Sequence, residues 1–307
     1  MDAITTTKKT SSNDVILRQA NALTGAAYSL SINEKRLVYM AIEAINNKTV
    51  TRNEHGAYPV EISTTRFCQL FGTDVTHAGR DLNKAATDLN KREVVFYLPS
   101  EDGDDGERAQ DALSWTTRRS YRPRKGTITL YFNSEVIELI RNLDKNYTMF
   151  LMIEAGCLSN PHTMRLYETL RQWCRQGVVT LGVDWICKKF ELPATYQARM
   201  PDFRRRFLNP SVAEITNSTN LNVVSVELPP TKGRRVDKIL FSVIDKTVAP
   251  DVERDTMHYA ISLMGRALSG EDLEPEELKI LRTNINSICA TAKIPIPPKL
   301  KTIIAMR

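Results

Sequence analysis

Two stretches of the chain carry the same apolar signature at a constant separation of 119 positions. Val60, Ile62, Phe67, Cys68 and Phe71 in the first match Val179, Leu181, Ile186, Cys187 and Phe190 in the second. Apolar residues two apart read as a strand, and those three or four apart as a helix. Each copy therefore spells a short strand followed by a helix. Upstream, Arg36-Leu37 in one helical stretch corresponds to Arg165-Leu166 in another. The order helix, strand, helix, helix, hairpin occurs twice, which makes the chain two copies of one supersecondary unit. At 307 residues there is room for each copy to bury its own core.

In the first copy, Asp14 to Leu23 predicts a short helix, with Val15, Ile16, Gln19 and Leu23 near one face. Ser31, with Glu34 three residues on, forms a capping box for a helix from Ile32 to Ile45. Tyr58 to Ile62 is a strand, and Ser63 or Thr64 caps the next helix, which Gly72 stops. A longer helix follows at about Thr76 to Lys91, its outer side carrying Arg80, Asn83 and Lys84. Two helices joined by a short turn match a helix-turn-helix. Val94 to Leu98 and Thr127 to Phe132 are the expected wing strands, with acidic and basic loop segments between them.

In the second copy, Ser159-Asn160-Pro161 opens a helix with proline near its first turn. A strand at Val178 to Leu181 and a helix at Asp184 to Phe190 follow. Arg199 to Ile244 then superimposes three patterns. Phe203, Phe207, Leu208, Val212 and Ile215 form a helical stripe, and Arg204, Arg205 and Arg206 splay away from it. Beyond Asn220 the apolar period changes to two, through Val224, Val226 and Leu228 and then Ile239, Phe241 and Val243. A basic loop joins these two strands. A basic helix followed by a basic-tipped hairpin predicts a winged helix. Asn209-Pro210 either kinks the helix or starts a new turn with Asn209 as cap. In the second case the three arginines hold phosphates, and base reading falls to residues after Pro210.

The expected organisation is α+β: two tandem winged-helix domains related by duplication, with a C-terminal extension. Residues 1–13 are expected to be disordered, 14–135 to form the first domain, 136–149 a linker helix and 150–246 the second domain. Residues 247–307 have helical patterns at Asp255 to Leu268 and Glu276 to Ala290. They read as either a small helical appendage or a flexible arm.

Charge points to the partner. The chain carries a net charge of +6, which alone is weak evidence for nucleic acid. Its distribution says more: Arg199 to Lys238 holds eight Lys or Arg against four Asp or Glu, and Trp115 to Lys125 holds five basic residues and no acid. The candidate DNA contacts of the first copy are Arg80, Asn83, Lys84, Arg118, Arg119, Arg122 and Lys125. Those of the second are Arg199, Arg204, Arg205, Arg206, Asn209, Ser211, Lys232, Arg234, Arg235 and Lys238. Arginine offers bidentate contacts to guanine or braces phosphates. Gly233 permits a tight turn at the second wing.

Other chemistry is missing from the sequence. There is no G-x-x-x-x-G-K-[ST] or G-x-G-x-x-G phosphate cradle, and the four histidines are scattered. No catalytic residue, metal site or cofactor is expected. The five cysteines form no C-x-x-C pair and fit reduced thiols in a cytoplasmic protein. No signal peptide or membrane span is expected.

The chain resembles the Rep initiator proteins of iteron-controlled, theta-replicating bacterial plasmids, over about residues 13–245. The resemblance rests on Ser31-Ile32-Asn33-Glu34-Lys35-Arg36-Leu37 and on Arg165-Leu166-Tyr167-Glu168-Thr169-Leu170. It rests also on Pro201-Asp202-Phe203, Phe207-Leu208-Asn209-Pro210, Ala213-Glu214-Ile215, Thr219 and Gly233-Arg234-Arg235-Val236. The resemblance implies a non-catalytic protein that binds direct repeats in double-stranded origin DNA, mainly through its second domain. It implies a homodimer, joined through the first domain, in equilibrium with the monomer. Repression of its own gene, opening of an AT-rich region, and contacts with the host replication initiator and replicative helicase are also implied. A tandem winged-helix repressor without initiator activity and a rolling-circle nickase are the alternatives; the missing histidine cluster argues against the second.

Overall fold

The computed structural model describes residues 15–97, 110–141, 143–230 and 236–305, and divides into two compact units, 1–161 and 162–307. The elements of the first unit are β1 (Ile16–Ala20), α1 (Asn21–Gly25), α2 (Ile32–Asn46), β2 (Tyr58–Ser63), α3 (Thr64–Phe71), α4 (Val75–Leu89), β3 (Glu93–Tyr97), β4 (Gln110–Ser114), β5 (Thr116–Arg122), β6 (Thr127–Phe132), α5 (Ser134–Glu138), β7 (Tyr147–Leu151) and α6 (Met152–Cys157). The Ser31 hydroxyl accepts from the Glu34 N–H, and the Glu34 carboxylate takes the Ser31 N–H at 2.5 Å, so the capping box fixes the start of α2. Ser63 caps α3, and Gly72 ends it in the left-handed conformation, φ +62°. Asp74 then caps α4 through the Thr76 N–H at 2.9 Å. This local chemistry sets the turn between the two helices, and α4 packs its Ala78, Leu82, Ala85, Ala86 and Leu89 stripe inward.

Three expectations for this unit are corrected. Residues 16–20 form a strand rather than part of a helix. Leu17 and Gln19 alternate into the interior, where the Gln19 amide donates to Thr24 and Thr24 meets Thr148 of β7. A buried glutamine disguises the period of two. The linker helix at 136–149 is likewise absent: α5 ends at Glu138, and 147–151 form β7, antiparallel to β1 with Ile16 opposite Leu151. The strand's partner lies some 130 positions away in sequence, so no local pattern announces it. The wing is also built differently. Glu93–Tyr97 pairs with β4, while the basic segment expected to be loop is β5, paired with β6 in a sheet of order β2-β6-β5.

The second unit comprises α7 (Pro161–Trp173), β8 (Val178–Gly182), α8 (Val183–Lys189), α9 (Ala194–Ala198), α10 (Met200–Phe203), a π-helical turn (Arg204–Leu208), α11 (Asn209–Ser218), β9 (Leu221–Glu227), β10 (Lys238–Asp245), α12 (Val252–Ser269), α13 (Pro275–Ala292) and α14 (Pro298–Ala305). Its sheet order, β8-β10-β9, repeats that of the first unit. The registers correspond as well: Ile62 faces Ile128 in one sheet, and Leu181 faces Ile239 in the other. Both units are winged helices.

Residues 252–305 form a helical appendage. In β10, Ile239, Phe241 and Val243 point to one face; Leu240 and Ser242 point to the other, and all five are buried. Leu240 joins Val178, Val226 and Leu228 in a core with Ile261, Met264, Leu281, Ile285 and Ile288 of α12 and α13. Gly265 lets α12 approach β9 closely, since a Cβ there would stand 3.0 Å from Val226 Cγ2. The Thr180 hydroxyl donates to the Ala292 carbonyl at 3.2 Å, and Ser242 Oγ lies 2.8 Å from His258 Nδ1. The sheet of the second winged helix is thus covered on both faces.

Candidate nucleic-acid interface

In the first unit the structure joins helix and wing. Arg119 of β5 donates to the Asn83 side-chain oxygen of α4 at 3.1 Å. Arg80 and Lys84 stand exposed on α4, Arg80 beside Asp81 and Lys84 bonded to Asp88 at 2.6 Å. That bond raises the Lys84 pKa and keeps the ammonium charged. Arg118 lies over the Tyr131 ring, 4.8 Å from its centroid. Arg122 ends β5, and Arg124 and Lys125 occupy the single-turn 3-10 helix that Gly126, at φ +61°, closes. These three cations form an exposed basic wing tip.

In the second unit, Met200 to Ser218 is one uninterrupted helical run with a π turn inside it. Asn209 keeps helical angles, φ −63° and ψ −48°, and its N–H donates to the Arg204 carbonyl five residues back. Pro210 has no N–H to give and its ring crowds the preceding turn; the wider π turn accommodates both. Of the two expectations for Asn209-Pro210, the new helix capped by Asn209 does not occur, since Asn209 is helical and its side chain makes no cap bond. Phe203, Phe207 and Leu208 still bury their side chains, with Phe203 and Phe207 rings 5.3 Å apart.

The π turn sends the three arginines in different directions. Arg204 clasps Glu227 of β9 with two hydrogen bonds, and this interaction raises its pKa further. Arg205 donates to Asp202 at 3.1 Å, and Arg206 stands 3.6 Å from the same carboxylate. Arg199 approaches it from the other side at 3.4 Å. Asp202 is buried, whereas the side chains of Arg205 and Arg206 remain 73% and 58% exposed. A single carboxylate therefore orients three guanidinium groups without covering them. Asp202 was absent from the candidates drawn from sequence. Its signal is the spacing of three and four residues to Arg205 and Arg206, which places them on one helix face.

Asn209 is exposed. Ser211 is not on this surface: its hydroxyl is buried 2.8 Å from Thr163 Oγ1, so it is withdrawn as a DNA contact. Lys238 is exposed at the start of β10. Lys232, Arg234 and Arg235 lie outside the described residues. Among the described residues no group of three or more His, Cys, Asp or Glu is placed to hold a metal, and no helix is long and apolar enough to cross a membrane.

Two winged helices, each with exposed cations on the helix that precedes its hairpin, define a tandem winged-helix DNA-binding protein. Comparison with known proteins narrows the class. Residues 16–171 match the model of the first winged helix of the initiator replication proteins, and residues 182–243 that of the second. The chain belongs to the initiator replication protein family. It is 28% identical over 236 residues to an uncharacterized 27.6 kDa protein of Escherichia coli, covering 75% of this chain and 94% of that one. It is 23% identical over 259 residues to the PI protein of Escherichia coli, covering 74% and 82%. A crystal structure of Pi initiator protein in complex with iteron DNA shares its fold, with TM-score 0.59 and 20% identity over 76% of this chain and 99% of the other. The three C-terminal helices fall outside both family-model matches.

Proposed function

We infer that this protein initiates plasmid replication by binding direct repeats in origin DNA, and that it does so without catalysing a reaction. The observation that carries this reading is the arginine cluster of the second winged helix. Arg199, Arg205 and Arg206 are held around Asp202 yet exposed, just before the hairpin that would grip the DNA backbone. Such forks suit guanine edges or paired phosphates. Arg204 has a different part: tied to Glu227, it fixes the helix to the wing strand. In the first winged helix, Arg80 and Lys84 together with the tip residues Arg122, Arg124 and Lys125 supply a second set of backbone contacts. Two such units engage a site of about two helical turns. Membership of the initiator family and the iteron complex of the structurally similar Pi protein support the reading. Autorepression, a monomer-dimer equilibrium through the first unit and recruitment of the host initiator and helicase belong to the same proposal, as does action in the bacterial cytoplasm.

The test has two arms. Replacing Arg205 and Arg206 together by alanine should weaken binding to a duplex carrying one origin repeat by about 2–4 kcal/mol and make its salt dependence shallower. In parallel, the gene with its neighbouring repeats should let an otherwise non-replicating circle persist, and the double variant should lose that ability. Unchanged affinity across several salt concentrations would remove the arginines from the interface. Repeat binding without persistence of the circle would leave a repressor.

A further inference from the structure

A groove of about 1000 Å³ runs along the foot of the second wing. Its floor is β9 from Val224 to Glu227, together with Leu228 just beyond it. Arg204 and Asn209 form one wall, and Gly265, Arg266 and Lys299 of the C-terminal helices form the other. Helices beyond the family's two domains thus share a surface with the helix that carries the DNA-reading arginines. The charges in the groove are unequal. Glu227 neutralises Arg204, and Glu271 and Glu277 neutralise Arg266, each at 2.6 Å. The Lys299 ammonium donates only to the Leu268 carbonyl, at 2.9 Å, and has no carboxylate partner among the described residues.

The floor offers further donors. β9 is an edge strand, and its even-numbered residues bond to β10, as Leu228 N–H does to the Lys238 carbonyl. Val223, Ser225 and Glu227 therefore turn their backbone groups to the open edge. The Thr216 hydroxyl takes up both groups of Val223. Ser225 and Glu227 turn their N–H groups away from β10 toward the groove, and the Asn209 amide is exposed on the same groove. An unneutralised ammonium, outward-facing strand N–H groups and a side-chain amide make a cradle for an anion on the helix-and-wing surface.

We propose that the C-terminal extension is a third DNA-contacting element: Lys299 binds a backbone phosphate of the strand that passes the foot of the second wing. This rests on the reading of the protein as an origin-repeat binder. Contacts of this kind carry no sequence information but fix the register of the reading helix on the duplex. Each phosphate neutralised releases counterions and steepens the salt dependence of binding by about 0.9 in log K against log salt.

The experiment measures fluorescence anisotropy of the full chain on a duplex carrying one origin repeat, at four or more salt concentrations. Lys299→Ala should make the slope shallower by about 0.9, and Lys299→Arg should restore it. Phosphate ethylation should reveal one interfering phosphate in the wild type that ceases to interfere in Lys299→Ala. Lys279→Ala, an exposed cation of α13 outside the groove, should change nothing. Arg205→Ala is the internal control. If it flattens the slope while Lys299→Ala does not, the extension lies off the DNA and the groove inference is overturned alone. If neither does, the reading of the second winged helix falls with it. A Lys299→Ala variant that lowers the melting temperature but keeps the slope shows that the lysine only caps α12, and this also overturns the proposal.

Discussion

Gly156→Ala should loosen the first reading head from behind. Gly156 lies in α6, where a Cβ would stand 2.8 Å from Phe71 Cδ1 and closer still to Cε1. Phe71 ends α3 and leads into the turn before α4; the Arg36 guanidinium covers its ring from 5.1 Å, and Arg36 Nε donates to the Gly156 carbonyl at 2.8 Å. Two effects oppose each other. Alanine in place of glycine inside a helix stabilises by roughly 0.5–1 kcal/mol, and the lower end applies in a six-residue helix. Forcing a methyl into a filled contact costs roughly 1–3 kcal/mol. Phe71 is buried, and the Arg36 guanidinium packed over its ring limits its retreat. Overpacking wins, with a net loss of about 1–2 kcal/mol. Urea titration followed by near-UV circular dichroism measures this directly. The double variant Gly156→Ala/Phe71→Leu should recover about 1 kcal/mol relative to additivity, because the two positions are in contact. A Gly156→Ala protein as stable as the wild type would refute the packing described for α3 and α6.

Two further outcomes concern the second unit. Burial holds the His258 imidazole below the usual histidine range, against the opposing pull of Asp255; burial and the Arg165 charge do the same to His162, against a hydrogen bond from its ring to the Phe190 backbone. The unfolded chain then binds the protons more readily, so stability is full above about pH 6.5 and falls as the solution is acidified. Urea midpoints from pH 8 to 5 should show this fall, reduced in His258→Gln; a rise on acidification would reverse the assignment. Leu240→Ala and Phe241→Ala should each cost about 2–5 kcal/mol, but at different places. Hydrogen exchange should quicken first in α12 and α13 for Leu240, and in α8 and α11 for Phe241, and identical patterns would contradict the two-faced packing of β10.

The sequence reveals the features whose causes are local. Ser31 with Glu34, Ser63 before α3 and Gly72 after it each act within four residues, and each is where the spacing places it. The repeat at 119 positions marks β2 and α3 against β8 and α8 because both copies bury the same faces. Features with distant causes are hidden. β1 needs β7 to be a strand, and the basic run of β5 looks like loop until β6 pairs with it. At the site, exposed arginines are visible as charge, but the buried carboxylate that organises them looks like one more helix residue. Ser211 has the opposite problem: a small polar residue next to Pro210 looks available, and only Thr163, 48 residues earlier in the chain, shows that it is taken. The second cover on the sheet had a trace in the sequence. In β10 the apolar residues run without alternation from Ile239 to Phe241, whereas β6 alternates threonine or tyrosine with Ile128, Leu130 and Phe132.

That doubly covered sheet ties the length of the gene to the spelling of its middle. A message ending just after β10 would still encode both winged helices, yet Val178, Val226, Leu228 and Leu240 would be left facing water as one continuous greasy patch. Such a shortened product would be prone to stick to its neighbours, even with every DNA contact of the two winged helices intact. Shedding the three helices safely requires polar letters at those four positions first, and acquiring them requires the reverse. A late frameshift in this gene is therefore a solubility defect before it is a binding defect.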